Sequence, residues 1–170
     1  MIIKTTNDLK ELREKYKDKK IVFCSGAFDL VHVGHILFFE DCKKQGDILV
    51  VGVGTDLMLK NNKGDKRPIL NESVRLRTID SLKPVDYCLL DIFSNPGNPL
   101  YVLDAVFENL KPDVYVINDD AFNFSYRENI SKKFNVKLIV LQRNCPKEFE
   151  GISTSKIIEK IISSKENQYT

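Results

Sequence analysis

Ser25-Gly26-Ala27-Phe28-Asp29-Leu30-Val31-His32-Val33-Gly34-His35 follows directly on the apolar run Ile21-Val22-Phe23-Cys24, and this junction decides the fold. The run reads as a core strand, and Ile36, Leu37, Phe38 and Phe39 read as the apolar part of a helix that opens at the second histidine. The chain holds two histidines in 170 residues, and both stand where strand hands over to helix. At that edge of an α/β sheet, backbone N–H groups and the helix dipole favour anions. Two imidazoles added there make a clamp for a phosphate whose charge grows during a reaction.

Outward from this junction, apolar runs alternate with helical periodicity, which is a βαβ pattern. Thr5-Thr6-Asn7-Asp8 can cap a short charged helix to about Lys17, ahead of the first strand. Ile48-Leu49-Val50-Val51-Gly52-Val53 is a near-continuous apolar run of the kind found in buried parallel strands. A polar stretch from Lys60 to Arg67 reads as a mobile loop. Asn71-Glu72-Ser73 starts a helix through about Leu82, and Val85–Leu90 is the next strand. Asn95-Pro96-Gly97-Asn98-Pro99 is a turn cluster before a helix over Leu100–Leu110. Val114–Ile117 and Val136–Leu141 are two further strands. Ser153-Thr154-Ser155 caps a last helix with Ile157, Ile158, Ile161 and Ile162 on one face, and a polar, frayed tail runs from Ser163 to Thr170. The expectation is a Rossmann-like three-layer α/β/α fold with a five-stranded, mostly parallel sheet and right-handed crossovers. Residues 1–170 are the size of a single domain.

Composition narrows the function. With 42% hydrophobic and 29% charged residues and no long uncharged apolar run, the chain reads as globular, with no membrane partner. Twenty-six basic against 24 acidic residues is too even a balance to argue for a nucleic-acid partner. The start, Met1-Ile2-Ile3-Lys4-Thr5-Thr6, lacks a signal-peptide apolar region, so a cytoplasmic location is expected. Cys24, Cys42, Cys88 and Cys145 form no C-x-x-C pair, and three of them sit in or beside apolar segments as buried free thiols. Neither the cysteines nor the histidine pair supplies a four-ligand zinc set.

The extended string G-x-F-D-x-x-H-x-G-H resembles the signature of the cytidylyltransferase-like nucleotidyltransferases. Members of that family join a nucleoside triphosphate to a phosphorylated small molecule and release pyrophosphate. Lys63-Gly64 followed by Arg67-Pro68-Ile69, and Glu150-Gly151-Ile152-Ser153-Thr154-Ser155, match further family stretches in the expected order, so the resemblance covers roughly residues 20 to 160. The nearest members are glycerol-3-phosphate cytidylyltransferase and the nucleotidyltransferase domain of ADP-heptose synthase. The resemblance implies homodimerisation, a nucleoside triphosphate partner and a phosphorylated small-molecule acceptor. It favours CMP transfer from CTP to a phosphorylated polyol or sugar, on the E-G-I-S-T-S match. The alternative is an adenylyltransferase acting on a sugar phosphate, on the K-G-x-x-R-P-I match, or on FMN. H-x-G-H also occurs in class I aminoacyl-tRNA synthetases, but 170 residues leave no room for a tRNA-binding region. A non-catalytic nucleotide-binding module is the reading of another class.

The chemistry is in-line attack of a phosphate oxygen on the α-phosphorus. A phosphate monoester is largely ionised at neutral pH, so catalysis rests on positioning and on donors for the developing charge, with no general base required. The resemblance assigns His32 and His35 to the nucleotide phosphates and Lys63 to the same phosphates in a closed state, although Lys60, Lys63 and Lys66 also read as a solvated charged loop. Gly26 and Gly34, with Ala27 between strand and helix, allow close backbone approach to the nucleotide. Phe28 packs either under the nucleotide or in the core. Asp29 orients the loop, touches substrate or helps place Mg²⁺, with the first two favoured, and Arg67 and Arg75 suit phosphate recognition, although Arg75 can equally pair with a helix carboxylate.

Asn118-Asp119-Asp120 stands where the two nearest members carry G-D-D or K-G-G-D, so Asn118 departs from both patterns while Asp120 is kept for the nucleotide or acceptor pocket. Gly151, Ser153 and Thr154 make an anion site for the β- and γ-phosphates, in the same positions an ordinary helix cap needs. The arginine expected at position 148 is replaced by Glu148, with Lys147 or Arg143 as the available substitutes. Mg²⁺ follows from the chemistry, neutralising the triphosphate while bridging its oxygens, and no metal-ligand cage is visible in the residues.

Overall fold

Strand β2 (Ile21–Gly26) lies in the middle of the sheet, with β3 (Ile48–Val53) on one side and β5 (Val114–Asn118) on the other. A computed structural model describes residues 1–90, 101–142 and 146–166 of the chain. The remaining strands are β1 (Ile2–Ile3), β4 (Tyr87–Leu90) and β6 (Lys137–Leu141), and the sheet order is β1-β4-β3-β2-β5-β6, parallel throughout. Among the described residues the sheet therefore has six strands where the sequence pattern predicts five. The extra strand is two residues long, pairing Ile2 with Cys88 and Ile3 with Leu89, and a periodicity of two cannot be read over so short a segment.

Burial on both faces explains the unbroken apolar runs of the central strands. Ile21, Phe23, Tyr115 and Ile117 point to one face, packed with Leu9 and Leu12 of α1 (Thr6–Lys15), with Leu103, Val106, Phe107 and Leu110 of α5 (Tyr101–Leu110) and with Ile130 of α6 (Phe124–Lys133). Val22, Cys24, Val51 and Val116 point to the other face, against Phe39 and Cys42 of α2 (Val33–Lys43) and Ile79 of α4 (Glu72–Asp80). Helix α1 begins as its sequence predicts: Asp8 N–H donates to Thr5 Oγ1 and the Asp8 carboxylate accepts from Thr5 N–H, a reciprocal cap.

Three local expectations change. The polar stretch from Lys60 is not loop from its start, because α3 (Asp56–Lys63) continues through Lys63, capped by Thr55, whose Oγ1 accepts Met58 N–H, with Leu59 as its buried anchor. Helix α6 is not announced by an apolar stripe, since its buried residues are Ile130 and Ser131. Helix α7 (Thr154–Glu166) runs past Ser163, where a frayed tail is expected, with Ile157 and Ile158 half-buried and Ile161 and Ile162 exposed. Cys24, Cys42 and Cys88 are buried free thiols. The turn cluster at 95–99, Arg143 and Cys145 lie outside the described residues. No helix among the described residues is long and apolar enough to cross a membrane.

Candidate active site

The chain turns from β2 to β3 on one side and later returns to lay β5 on the other, so the carboxyl ends of these strands diverge into a crevice. A cavity of about 630 Å³ occupies it, lined by Gly26 to Asp29 at the end of β2, by Val53 and Gly54 at the end of β3, and by Asn118 and Asp120 at the end of β5. The amino-terminal ends of α2 and α7 close it, bringing His32, Gly34 and His35 to the same space as Ser153 and Thr154. Two helix amino termini aimed into one crevice favour a polyanion.

His32 is the N-cap of α2 and sets up a histidine version of a capping box. Gly34 N–H donates to His32 Nδ1 (3.2 Å) and His32 N–H donates to His35 Nδ1 (3.4 Å). The rings stack, with centroids 4.0 Å apart and 28° between planes. A neutral imidazole that accepts at Nδ1 carries its proton on Nε2, so the cap leaves each ring an Nε2–H donor. The spacing H-x-x-H thus does two jobs at once, starting the helix and fixing the tautomer of both rings.

The glycines around them are dictated by these rings as much as by a ligand. A Cβ on Gly34 would stand 3.0 Å from His32 Cε1, and one on Gly26 would stand 2.8 Å from Phe28 Cζ. Phe28 adopts a left-handed backbone (φ 47°), at a cost of about 1–3 kcal/mol. That conformation turns its buried ring against His35 (5.4 Å, edge-to-face) and Phe39 (4.9 Å). Phe28 therefore belongs to the core and also underpins His35 at the cavity wall.

Asp29 is buried and its carboxylate is fully engaged: it accepts from the N–H groups of Ile69 (2.8 Å) and Leu70 (2.9 Å) and from Arg67 Nε (2.6 Å). Of the roles the sequence leaves open to it, orienting the loop is the one this geometry serves. Arg67 lines the cavity from its place beside Asp29. Arg75 does not reach the cavity; it is completely buried and donates to Leu70 O (3.0 Å), Ala27 O (2.6 Å) and Asp56 Oδ1 (2.8 Å). It ties together the loop after β2, the loop before α4 and the start of α3.

Lys63 ends α3 at the cavity's rim. Ser153 Oγ accepts Lys156 N–H (3.2 Å), so Ser153 caps α7 while Thr154 opens its first turn at the cavity. Gly151 stands two residues before this cap, outside the cavity lining. The residue that sequence reasoning misses is Arg127 of α6, which also lines the cavity; the polar run Phe124–Lys133 carries no motif to draw attention to it.

Burial on its own would raise the Asp29 carboxyl, but the N–H groups of Leu70 and Ile69 and the Arg67 guanidinium outweigh it and hold the group below its ordinary value. A depressed folded-state value means that this stabilisation is fully present above the unfolded value, about pH 4, and is lost as pH falls through the folded value. Urea midpoints measured from pH 6 downward are therefore expected to fall in the acid range for the natural chain. In Asp29→Asn that acid-range loss should be smaller, from a lower starting stability. An equal acid slope in both would remove Asp29 as its source.

A crevice at the carboxyl ends of a parallel sheet, flanked by two helix amino termini and a stacked histidine pair, is the arrangement of a nucleotide-binding α/β domain. The cytidylyltransferase-like family matches residues 23–160, and the chain belongs to that family. It is a nucleotidyltransferase. The bifunctional protein HldE of Helicobacter pylori (strain P12) is 41% identical over 154 residues, 90% of this chain and 30% of the relative. The bifunctional protein HldE of Citrifermentans bemidjiense is 37% identical over 156 residues, 89% of this chain and 29% of the relative. The chain thus spans about three tenths of the length of these relatives. Among solved structures, the lipopolysaccharide core biosynthesis protein from Thermoplasma volcanium superposes with a TM-score of 0.58 at 30% identity, covering 73% of this chain and 95% of that one. Pantoate-β-alanine ligase from Francisella tularensis, complexed with β-γ ATP and β-alanine, shares the fold with a TM-score of 0.65 at 18% identity, covering 92% of this chain and 75% of that one.

Proposed function

We propose that this chain transfers AMP from ATP to a sugar 1-phosphate, making an ADP-sugar and pyrophosphate. The observation that carries this reading is the 41% identity to an HldE protein over 154 residues that include Lys63-Gly64 and Arg67-Pro68-Ile69, the stretch resembling ADP-heptose synthase. CMP transfer from CTP is the second reading, and Glu150-Gly151-Ile152-Ser153-Thr154-Ser155 is what favours it.

In the proposed reaction a phosphate oxygen of the acceptor attacks the α-phosphorus in line. The new P–O bond forms as the bond from the α-phosphorus to the bridging oxygen breaks, and that electron pair leaves with pyrophosphate. The acceptor phosphate, with a second pKa near 6, is already largely deprotonated, so no side chain has to take a proton. His32 and His35 donate Nε2–H to the α-phosphate oxygens, where charge builds in the transition state. The first turn of α7 receives the β- and γ-phosphates on its N–H groups, and Lys63 closes over them from α3. Among the described residues no three His, Cys, Asp or Glu side chains converge as a metal cage. Mg²⁺ is proposed to enter with the nucleotide substrate, neutralising its phosphates.

Pyrophosphate release with Mg²⁺, crossing ATP, CTP, GTP and UTP against heptose and hexose 1-phosphates, polyol phosphates and FMN, tests this reading. ATP with a sugar 1-phosphate is expected to give the highest kcat/KM, by at least about tenfold over any CTP pair, a 1.4 kcal/mol preference. CTP with a polyol phosphate as the best pair would install the second reading. Nucleotide binding without turnover would point to the binding module, and silence without nucleotide binding would sink the proposal.

A further inference from the structure

Of the five described arginines, four lie within 3.1 Å of a carboxylate: Arg13 on Asp113, Arg67 on Asp29, Arg75 on Asp56 and Arg77 on Asp80. Arg127 is the exception among the described residues. Its Nε donates to Phe122 O (2.8 Å), and its Nη1 donates to Ser25 Oγ (3.3 Å) and to the Tyr115 hydroxyl. The guanidinium also lies over the Tyr115 ring, 5.9 Å from its centroid. All of these partners are neutral, and the group is half-buried in the cavity wall. A guanidinium has five N–H donors, and a partly desolvated one without a counter-charge attracts an anion.

Its position says which anion. Along β2 and β5 the side chains alternate between faces: Cys24 and Val116 pack toward α2, whereas Phe23 and Tyr115 pack toward α1 and α5. Ser25, by the same alternation, faces with Phe23, so Arg127 approaches from the wall opposite the one carrying His32 and His35. Helix α6 is fixed there by Asp104 of α5, which accepts from the Tyr126 hydroxyl and from Lys133 Nζ (2.8 Å). An in-line transfer brings two anions together from opposite sides of one phosphorus, and the histidine wall with the α7 terminus already serves the triphosphate.

We propose that Arg127, positioned by Ser25 and Tyr115, is the residue that binds the phosphate of the acceptor. This rests on the reading of the chain as a transferase to a phosphorylated acceptor. Arginine suits the task because its planar fork can keep Nε and part of Nη1 on protein oxygens while the remaining N–H groups grip a phosphate.

The test uses the whole chain and the variants Arg127→Gln and Arg127→Lys. With the substrate pair that the natural chain turns over, Arg127→Gln should raise the acceptor KM about tenfold or more while the dissociation constant of the nucleotide stays within about twofold. Arg127→Lys should recover part of the acceptor affinity, which a purely structural role would not predict. An unchanged acceptor KM, or an equal loss of nucleotide affinity, overturns the proposal. A second arm does not need the acceptor: the natural chain saturated with a non-hydrolysable ATP analogue is titrated with inorganic phosphate and followed by thermal shift. Phosphate stabilisation that disappears in Arg127→Gln supports the site even where no acceptor in the panel reacts, and its absence in the natural chain overturns it. Failure of the transferase reading is seen separately, as absence of turnover in the natural chain.

Discussion

His32→Asn is expected to lower kcat by about a hundred- to a thousandfold while leaving the urea midpoint almost unchanged. Two functions of one side chain are separated by this substitution. As the N-cap of α2, His32 accepts Gly34 N–H through Nδ1, and asparagine is among the best residues for that task. The imidazole also carries an Nε2–H donor stacked 4.0 Å from the His35 ring, and asparagine has no donor at that reach. His32→Ala should lose both, adding about 1 kcal/mol of destabilisation to the same kinetic defect. His35→Ala should cost a similar factor in kcat, and because the rings form one unit the double variant should lose far less than the product of the two single losses. The measurement is single-turnover pyrophosphate release beside urea unfolding. An active His32→Asn would reduce the first histidine to a helix cap.

Legibility in the sequence followed the range of the interactions involved. Strands β2 to β5 are buried by helices, so their apolar runs carry the signal of their own burial; the edge strand β6 is only half-buried, yet Leu138–Leu141 still forms an apolar run, so five of the six could be read locally. Strand β1 exists because Ile2 and Ile3 find Cys88 and Leu89 more than eighty residues away, a pairing with no local trace. The histidine motif was legible because one short segment builds the whole device: cap, tautomer and the glycine gap that admits the His32 ring. Helix α3 was hidden because a single buried residue, Leu59, anchors it, and the lysines around it look like solvent. Arg127 was hidden for a different reason. Its meaning depends on its having no ion pair among the described residues, and a sequence does not say which of 24 acidic residues a given arginine will meet.

Arg75→Ala is expected to be the most destabilising single change in the chain outside the apolar core, at about 2–4 kcal/mol. Its side chain is completely buried, and its removal would leave a cavity and strand the carbonyls of Ala27 and Leu70, which it now satisfies at 2.6 and 3.0 Å, while the part-exposed Asp56 carboxylate would turn to water. Domains of this size have about 5–15 kcal/mol in total, so the variant should unfold at a markedly lower urea concentration with an unchanged slope. Arg75→Lys should recover only part of the loss, since one ammonium cannot span three acceptors fixed by a planar fork. The consequence for catalysis passes through the scaffold. Ala27 belongs to the loop that carries the histidine motif, and Leu70 belongs to the loop that Asp29 grips beside Arg67. Slackening Arg75 should loosen both walls together, raising KM for nucleotide and acceptor in parallel even in the folded fraction. A direct substrate contact predicts the opposite pattern, with the midpoint preserved in Arg75→Lys and only one substrate affected. The R-P-I…R spacing then describes two layers of one device, with Arg67 at the cavity and Arg75 behind it holding the two loops together.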